Sequence, residues 1–330
     1  MAMRLTALMP HFGVRCDGVS LAGLANRQLP PLVASALKTA LYSYGLLYFP
    51  ATSDMTPADE VAFAKMFSHD PAEDMRASSS TGGASHQAKL PHFPEIALVG
   101  SFNLRDYFGY TGKSPGVYQG WAPDQRAWHC DGLADTYPPP DLTTMRAIQI
   151  PPSGGDTLFA CSVMAAKLLP ENLQPHPEHV QVSYRLFNEY EIKPMGMGLD
   201  LASGRKVKDV NELNDMKQPL VIREPHSGKR SLVGTYHVSR IEAHGSKALT
   251  FEESNNYIAQ AWAPGLQDDL LYRHKWQAGD MVAWSNRLVI HTATSAAAYE
   301  GETRLHHRIR LRSDPNHAPV PWEMIRPDCA

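Results

Sequence analysis

The sequence predicts a mainly β fold with flanking helices, of the β-sandwich or jelly-roll type. Three observations favour this class. Short runs of strand-forming residues alternate with turn residues, few segments have helical periodicity, and the chain is rich in glycine (23) and proline (26). With 330 residues, the chain is long enough to bury a sizeable core.

Two helices and one strand are predicted before residue 70. Apolar residues recur at every fourth position within 29–45, and Gly45 is a suitable left-handed C-cap for this helix. The apolar run 46–49 then predicts a buried strand. Thr56, followed by a proline, predicts the start of a second helix that extends to about Phe67.

The segment from about 70 to 125 has little regular pattern. It combines a run of Ser, Thr and Gly with several aromatic residues, and a long irregular segment inside a domain is often a functional lid. The aromatic residues that could form such a lid are Tyr107, Phe108, Tyr110, Tyr118 and Trp121. The alternative is that they only pack this segment onto the rest of the domain.

Strands dominate from residue 143 onward. They are predicted at 143–150, at the end of 154–159, as short runs within 180–240, and at 281–284, 287–291 and 303–312. Two further helices are predicted over 162–169 and 250–262, the second opening with a capping box. The tail 313–330 is Pro-rich. Since no internal repeat or linker is visible, we expect a single domain over 1–330.

Charge and composition argue against several classes of function. Lys and Arg number 31 and Asp and Glu 34, and a net charge of −3 disfavours a nucleic-acid or anionic-membrane binder. No apolar run approaches the roughly 18 residues of a membrane span, and Thr6, Pro10 and His11 interrupt the N-terminal apolar stretch, unlike a signal peptide. The four cysteines form no CxxC motif. We therefore expect a protein of the reducing cytoplasm.

A His-Xaa-Asp motif is the first candidate for chemistry. On an extended strand, His129 and Asp131 would face the same side while Cys130 turns away. They could supply two ligands of the two-histidine, one-carboxylate triad that holds non-haem Fe(II) and leaves coordination positions open. His291, which ends an apolar run, could supply the third. Taken singly, each motif is more often a surface pair or a structural histidine.

The last predicted strand carries alternating arginines. With a period of two residues, one face of this strand carries His306 and the arginines Arg304, Arg308, Arg310 and Arg312. They could hold anions in a pocket, because a guanidinium pairs with a carboxylate through two hydrogen bonds. Alternatively, this face is solvated, or the arginines pair with internal acids such as Asp280 or Glu302. The net charge and the absence of an aromatic RNA-binding signature disfavour RNA as a ligand.

Taken in order, these motifs resemble a known family. The chain contains WHCD (128–131), GGDT (154–157), HSGK (226–229), GDMVAWSNRLVIHTA (279–293) and TRLHHR (303–308). The combination is similar to the taurine dioxygenase and 2,4-dichlorophenoxyacetate dioxygenase family of Fe(II)- and 2-oxoglutarate-dependent oxygenases. The resemblance covers most of the chain and fades in 70–125 and in the tail. It implies a double-stranded β-helix, which is a distorted jelly roll.

The resemblance also implies roles for individual residues. The residues that match the family's iron ligands are His129, Asp131 and His291. Thr157 matches the threonine that hydrogen-bonds 2-oxoglutarate, and Arg304 matches the arginine that anchors its far carboxylate. Arg308 matches an arginine that in several members holds an anionic group of the substrate.

Two positions depart from the family pattern. Ser285 stands where the family often has the Asp of WDNR, which implies a different arrangement of neighbouring side chains. Gln125 stands where the taurine enzyme has a substrate-contacting Asn, so the resemblance does not imply taurine as the substrate. Gln125, together with Tyr118 of the aromatic group, is a candidate substrate contact.

The implied reaction consumes 2-oxoglutarate and O2, hydroxylates a small anionic organic substrate, and releases succinate and CO2. Family halogenases lack the carboxylate at the position of Asp131, so its presence favours hydroxylation, or cleavage through hydroxylation. Two alternatives stay open: a jelly-roll zinc hydrolase with the same three ligands, and a non-catalytic small-molecule sensor. Many relatives associate through their helices, so a homo-oligomer is compatible with the resemblance.

Overall fold

The computed structural model describes residues 2–68, 88–114, 128–132, 140–184, 198–200, 205–207, 216–234, 238–243, 248–294, 301–311, 318 and 320–322. Strands predominate among these residues and helices are few. Within the described ranges, no helix is both long and apolar enough to cross a membrane. The predicted mainly β class is therefore confirmed.

The strands of the described residues are β1 (Arg4–Ala7), β2 (Val14–Asp17), β3 (Leu46–Phe49), β4 (Lys89–Leu90), β5 (Phe93–Ser101), β6 (Asn103–Tyr107), β7 (Tyr110–Lys113), β8 (Leu142–Gln149), β9 (Thr157–Cys161), β10 (Val180–Tyr184), β11 (Gly198–Asp200), β12 (Arg205–Val207), β13 (Met216–Pro219), β14 (Val221–Arg223), β15 (Arg230–Leu232), β16 (Val238–Ala243), β17 (Tyr272–His274), β18 (Met281–Ser285), β19 (Val289–Ala293), β20 (Arg304–Leu311) and β21 (Val320–Pro321). The α-helices are α1 (Pro31–Tyr44), α2 (Pro57–Lys65), α3 (Ser162–Lys167) and α4 (Phe251–Trp262). Short 3₁₀ turns lie at Pro177–His179, Ala263–Leu266 and Asp268–Leu270.

Three predicted capping residues, Gly45, Thr56 and Thr250, lie at helix ends as expected, whereas Ser162 is the first residue of α3 and Cys161 is its N-cap. Gly45 follows α1 with a φ of 76°, in the left-handed region that glycine tolerates. At the start of α2, the Thr56 side chain accepts from the amide of Asp59, whose carboxylate accepts from the Thr56 amide. Thr250 and Glu253 form the same reciprocal pair before α4. These three predictions are confirmed.

Two sheets face each other around the inner core. The large sheet has the order β1-β2-β3-β18-β8-β20-β5-β4, and the smaller one has the order β17-β9-β19. A single apolar cluster contains side chains from both sheets, so it fills the space between them. Its buried members are Phe12, Leu46, Met145, Ala147, Phe159, Cys161, Trp276, Val282, Trp284, Leu288 and Val289. The other face of the large sheet packs against α1 and α2 through a second apolar cluster, the outer cluster.

The expectation of an irregular segment over 70–125 is wrong for the part that the structure describes. The strands β4 to β7 lie there, and β5 pairs with β20 in the large sheet. The proline and glycine in β5 weaken its local strand pattern, whereas its pairing with β20 is a long-range contact that periodicity does not register.

Two of the three aromatic residues of the β6–β7 hairpin pack onto the sheet. Tyr107 and Tyr110 lie against the outer cluster, and the Tyr107 hydroxyl lies 2.9 Å from Nε2 of His307. For these two residues, the structure favours the alternative that they pack this segment onto the domain rather than form a lid. Phe108 at the hairpin tip is 45% exposed. The predicted substrate contacts Tyr118 and Gln125 lie outside the described residues, as does Trp121.

Candidate active site

The two candidate metal-binding histidines are neighbours across a pair of antiparallel segments. His129 bridges to His291 in β19, and the amide of each donates to the carbonyl of the other at 3.0 Å. Their ring centroids are 4.2 Å apart. Asp131 brings its carboxylate to the same place, so that the potential ligand atoms of the three residues all lie within 4.8 Å of one another. The structure thus brings together three residues that are remote in sequence.

The carboxylate of Asp131 is held on both oxygens. Thr143 donates to Oδ2 through its hydroxyl at 2.7 Å, and Arg308 donates to Oδ1 through Nη1 at 3.0 Å. The backbone amide of Asp131 donates to Oδ1 of Asn286 at 3.2 Å, and the Asn286 amide group donates to the Thr143 hydroxyl at 2.9 Å. This network fixes the orientation of the acid, as the partners of metal-binding carboxylates do in general.

The charges around the three residues favour the forms that bind metal ions. Burial alone would raise the pKa of Asp131, but Arg308 and the two imidazoles outweigh it and hold this pKa well below its usual range. Burial and the nearby His129 ring lower the pKa of His291 to about 3, against the opposing effect of Asp131. The site therefore presents an ionised carboxylate and a neutral imidazole at neutral pH.

Arg304 lies at the other end of the same strand face as Arg308. It is 5% exposed, and its Nε donates to the carbonyl of Gly155 at 3.1 Å. Gly155 has a φ of 74°, and a Cβ atom placed there would lie 3.1 Å from Cδ and Nε of Arg304. The glycine in the GGDT motif thus serves two needs: a left-handed backbone and close approach of the arginine.

Thr157 is buried at the start of β9, two residues after Gly155. Its hydroxyl oxygen accepts a hydrogen bond from the indole Nε1 of Trp276 at 2.9 Å. Because an indole nitrogen only donates, the Thr157 hydroxyl must use an oxygen lone pair here and keeps its own proton for another acceptor. An arginine and an oriented hydroxyl together are suited to a carboxylate.

The inward face of β20 connects the two ends of the site. Arg304, His306 and Arg308 alternate with Leu305, His307 and Ile309, which face the opposite side of the sheet. Across the ladder, His306 pairs with Ala147 and Arg308 with Met145, both members of the inner core. The inward face therefore borders the space between the two sheets.

Arg308 is paired with an internal acid, although with a different one from those that the sequence suggested. Its partner is Asp131. Asp280 instead accepts from the Tyr48 hydroxyl at 2.9 Å and from the backbone amide of Gln277 at 2.8 Å. Glu302 has no described ion pair with Arg308.

Ser285 of the WSNR motif contacts an acid from elsewhere in the chain. The Ser285 hydroxyl donates to Oδ1 of Asp141 at 3.1 Å, and Nε of Arg287 lies 4.0 Å from the same oxygen. Tyr42 donates to Oδ2 of Asp141 at 2.8 Å, and His226 Nε2 lies 3.4 Å from that oxygen. Asp141 thus places a carboxylate beside Ser285 and Arg287 of the WSNR motif.

Cys130 faces away from the candidate metal ligands, as the extended geometry predicts. Its Sγ lies 3.9 Å from the carbonyl oxygen of Val233, within a separate buried apolar cluster. Burial raises the pKa of the thiol, which keeps it protonated and a poor metal ligand.

Sequence reasoning did not identify three side chains that shape the site: Thr143, Trp276 and Asn286. The strand alternation over 143–150 could have placed Thr143 on the inward face. Asn286 lies within the WSNR motif, which could have directed attention to it. No local pattern links Trp276 to Thr157, because the two meet only through the pairing of β17 with β9.

Comparisons with known proteins agree with this geometry. A family model described as "Taurine catabolism dioxygenase TauD, TfdA family" matches residues 4–310. The alpha-ketoglutarate-dependent 2,4-dichlorophenoxyacetate dioxygenase of Cupriavidus pinatubonensis is 29% identical over 204 residues, which cover 62% of this chain and 63% of that relative. The (S)-phenoxypropionate/alpha-ketoglutarate-dioxygenase of Sphingobium herbicidovorans is 27% identical over 312 residues, which cover 93% of this chain and 95% of that relative.

A solved structure supports the same fold. The crystal structure of AAD-2 in complex with Mn(II) and N-oxalylglycine matches with a TM-score of 0.66 at 19% identity, covering 96% of this chain and 99% of that one. Because the family model spans almost all of the sequence, the chain belongs to the TauD/TfdA family of dioxygenases.

Proposed function

We propose that this protein is an Fe(II)- and 2-oxoglutarate-dependent dioxygenase that hydroxylates, or cleaves through hydroxylation, a small anionic organic molecule. Its products would include succinate and CO2. The observation that carries the proposal is the convergence of His129, Asp131 and His291, whose potential ligand atoms lie within 4.8 Å of one another. Two imidazoles and one carboxylate with open positions beside them are typical of non-haem Fe(II) oxygenases.

The donor set suits a divalent metal ion. The pKa of Asp131 keeps it anionic, and that of His291 keeps it neutral. The buried Nδ1 of His291 makes no hydrogen bond within the described part of the chain, and such burial costs about 1–3 kcal/mol unless another group compensates. These three residues would hold the iron, which together with 2-oxoglutarate supplies the oxidation of a C–H bond by O2.

Arg304 and Thr157 would hold the far carboxylate of 2-oxoglutarate. The bond to the Gly155 carbonyl fixes the guanidinium of Arg304, and the bond from Trp276 orients the hydroxyl of Thr157. Two donors that are already in position lower the entropic cost of fixing the co-substrate in one orientation.

The substrate class follows from Arg308. This guanidinium is held beside Asp131, at the edge of the candidate metal site. A guanidinium carries five N–H donors, so a bond to one carboxylate oxygen leaves it able to bind a second anion. A carboxylate, sulfonate, sulfate or phosphonate group of the substrate would bind there, which leaves the C–H bond to be oxidised close to the metal. The two relatives named above act, by their names, on phenoxy acids.

We further propose that residues 1–330 form one domain with the double-stranded β-helix, or distorted jelly-roll, fold. The two facing sheets with helices outside them and the likeness to AAD-2 support it. A cytoplasmic location, a homo-oligomeric state and the absence of a nucleic-acid partner stay predictions from the sequence.

Anaerobic spectroscopy tests the reaction class. Addition of Fe(II) and 2-oxoglutarate to the wild type should produce a visible metal-to-ligand charge-transfer band, and O2 with substrate should release succinate. His291→Ala should abolish both signals, whereas His11→Ala, which changes a histidine that contacts the Leu270 carbonyl, should keep them. Substrate turnover without O2 would instead indicate a hydrolase, and metal and ligand binding without turnover would indicate a sensor.

A panel of matched compounds tests the substrate class. Aryloxy- and alkyl-carboxylates, sulfates, sulfonates and phosphonates should stimulate succinate release, and the uncharged amide of each active carboxylate should not. A purine such as xanthine is included as a compound that carries none of these anionic groups. Equal turnover of an acid and its amide would contradict the role of Arg308, because a charge-assisted hydrogen bond should be worth about tenfold or more in affinity.

A further inference from the structure

A third histidine lies between the two arginines of the candidate site. His306 lies between Arg304 and Arg308 on the inward face of β20 and is fully buried, with 0% exposure. Its ring meets the indole of Trp276 edge to face, with centroids 4.7 Å apart. Trp276 in turn donates to Thr157. The imidazole of His306 therefore contacts the side chain that orients Thr157, and it lies next to Arg304 on the same strand face.

The polar atoms of this imidazole are not satisfied by the described residues. Neither Nδ1 nor Nε2 of His306 has a hydrogen-bond partner among them, although both atoms are buried. The neighbouring His307 shows the contrast, because its Nδ1 lies 2.7 Å from Glu60 and its Nε2 lies 2.9 Å from the Tyr107 hydroxyl. Buried polar groups in folded proteins almost always have partners, so an imidazole without one points to a ligand.

The protonation state of His306 suits a neutral donor. Burial, followed by the nearby guanidinium of Arg304, lowers the pKa of this imidazole well below its ordinary value. A neutral imidazole has one N–H donor and one acceptor nitrogen. The donor can therefore face an anion while the ring remains uncharged in a buried position.

We propose that His306 is a third binding residue for 2-oxoglutarate, whose ring N–H donates a hydrogen bond to the far carboxylate held by Arg304 and Thr157. This inference rests on the proposed function. It assigns to the chain a three-donor clamp of guanidinium, hydroxyl and imidazole. Such a clamp favours a keto acid that carries a second carboxylate over one that does not.

A competing account is that the ring N–H is satisfied by the face of Trp276. N–H contacts to aromatic rings occur, but they are weaker than bonds to a carboxylate. In that account, His306 only packs against the indole. Its replacement would then affect all keto acids alike, because packing does not distinguish the two ends of the co-substrate.

The test compares two keto acids by anaerobic titration of the Fe(II) charge-transfer band. The dicarboxylic ligand is 2-oxoglutarate and the monocarboxylic one is 2-oxopentanoate, which has no far carboxylate. His306→Leu should weaken binding of 2-oxoglutarate about tenfold and leave 2-oxopentanoate unchanged. His306→Gln, which retains an N–H donor, should lose less. His307→Gln, on the opposite face of the same strand, is the matched control.

The outcomes separate the two proposals. If the wild type gives no band with either keto acid, the proposed function fails and this inference fails with it. Suppose that the wild type binds 2-oxoglutarate. If the His306 variants bind it as tightly as the wild type does, or if their affinities for the two keto acids fall by the same factor, only the role of His306 is overturned. Thermal unfolding of each variant shows whether it is folded. If His306→Leu does not fold, His306→Phe replaces it, because phenylalanine keeps a ring at this position and removes the N–H donor.

Discussion

The hydrogen bond from Trp276 determines which way the hydroxyl proton of Thr157 can point. Trp276 can only donate, so its bond to Thr157 requires that the threonine oxygen accept. The Thr157 hydroxyl proton then points to a different acceptor, and the carboxylate of 2-oxoglutarate would be that acceptor. An aromatic residue that touches no reacting atom thus sets the polarity of a binding group.

Trp276→Phe should therefore weaken 2-oxoglutarate binding about threefold to tenfold, because a neutral hydrogen bond contributes about 0.5–1.5 kcal/mol. The phenyl ring keeps much of the packing, so the loss should appear as a raised KM for 2-oxoglutarate with a smaller change in kcat. Trp262→Phe is a suitable control, since the Trp262 indole donates to the Gly234 carbonyl in a different cluster. Unchanged binding in Trp276→Phe would show that Thr157 needs no such orientation.

At the scale of elements, the turn before β9 and the strand β20 form one unit. The carbonyl of Gly155 in the turn accepts a hydrogen bond from Nε of Arg304 in the strand. The turn needs a left-handed residue, and the arginine needs the space that a side chain would fill. The strand β20 thus supplies the guanidinium of Arg304, and the turn before β9 helps to position it.

Gly155→Ala should lower both the stability and the affinity for 2-oxoglutarate. The backbone at φ 74° costs an alanine about 1 kcal/mol, and the added Cβ would push against Cδ and Nε of Arg304 at 3.1 Å. Gly301→Ala is the control for the backbone effect alone, because Gly301 has a φ of 83° and a Cβ added there would meet no atom within 4 Å. The difference between the two variants then reports the contact with Arg304. Both variants should have a lower Tm than the wild type, and only Gly155→Ala should bind 2-oxoglutarate more weakly.

At the scale of the whole molecule, a buried polar cluster around Asp141 joins distant segments. Tyr42 of α1, Ser285 of β18 and His226 of the β14–β15 turn all meet this carboxylate. Burial would raise the pKa of Asp141, but Arg287 and the other neighbours outweigh it and lower the pKa to about 2. The ionised acid thus holds three parts of the fold together.

Asp141→Asn should reduce the free energy of unfolding at pH 7 by roughly 2 kcal/mol, from the lowering of its pKa on folding. Since the folded-state pKa lies below the unfolded one, the ionised form stabilises the fold above about pH 4, and this contribution is lost as the pH falls towards 2. Urea unfolding at several pH values should therefore show the wild type and variant converging below pH 4. Asp17→Asn is the control, because its ion pair with Arg15 is partly exposed to solvent and should contribute little to stability.

Most of the helices, and the convergence of the three candidate metal ligands, could be predicted because their signals are local or chemically distinctive. The caps at Thr56 and Thr250 need only four residues of sequence, and the His-Xaa-Asp motif with a distant histidine is unusual in combination. The pairing of β5 with β20 could not be predicted, because it depends on residues some 200 positions apart. The same holds for the bond from Trp276 to Thr157 and for the choice of Asp131 as the partner of Arg308.

The bridge between His129 and His291 has a consequence for how the protein acquires its metal. The two rings become neighbours only when the segments that carry them exchange backbone hydrogen bonds. In an unfolded chain, no short stretch offers all three candidate ligands, so binding of the ion by the complete set would require that these two distant segments have already paired. Tight iron uptake would then report that the chain has finished folding.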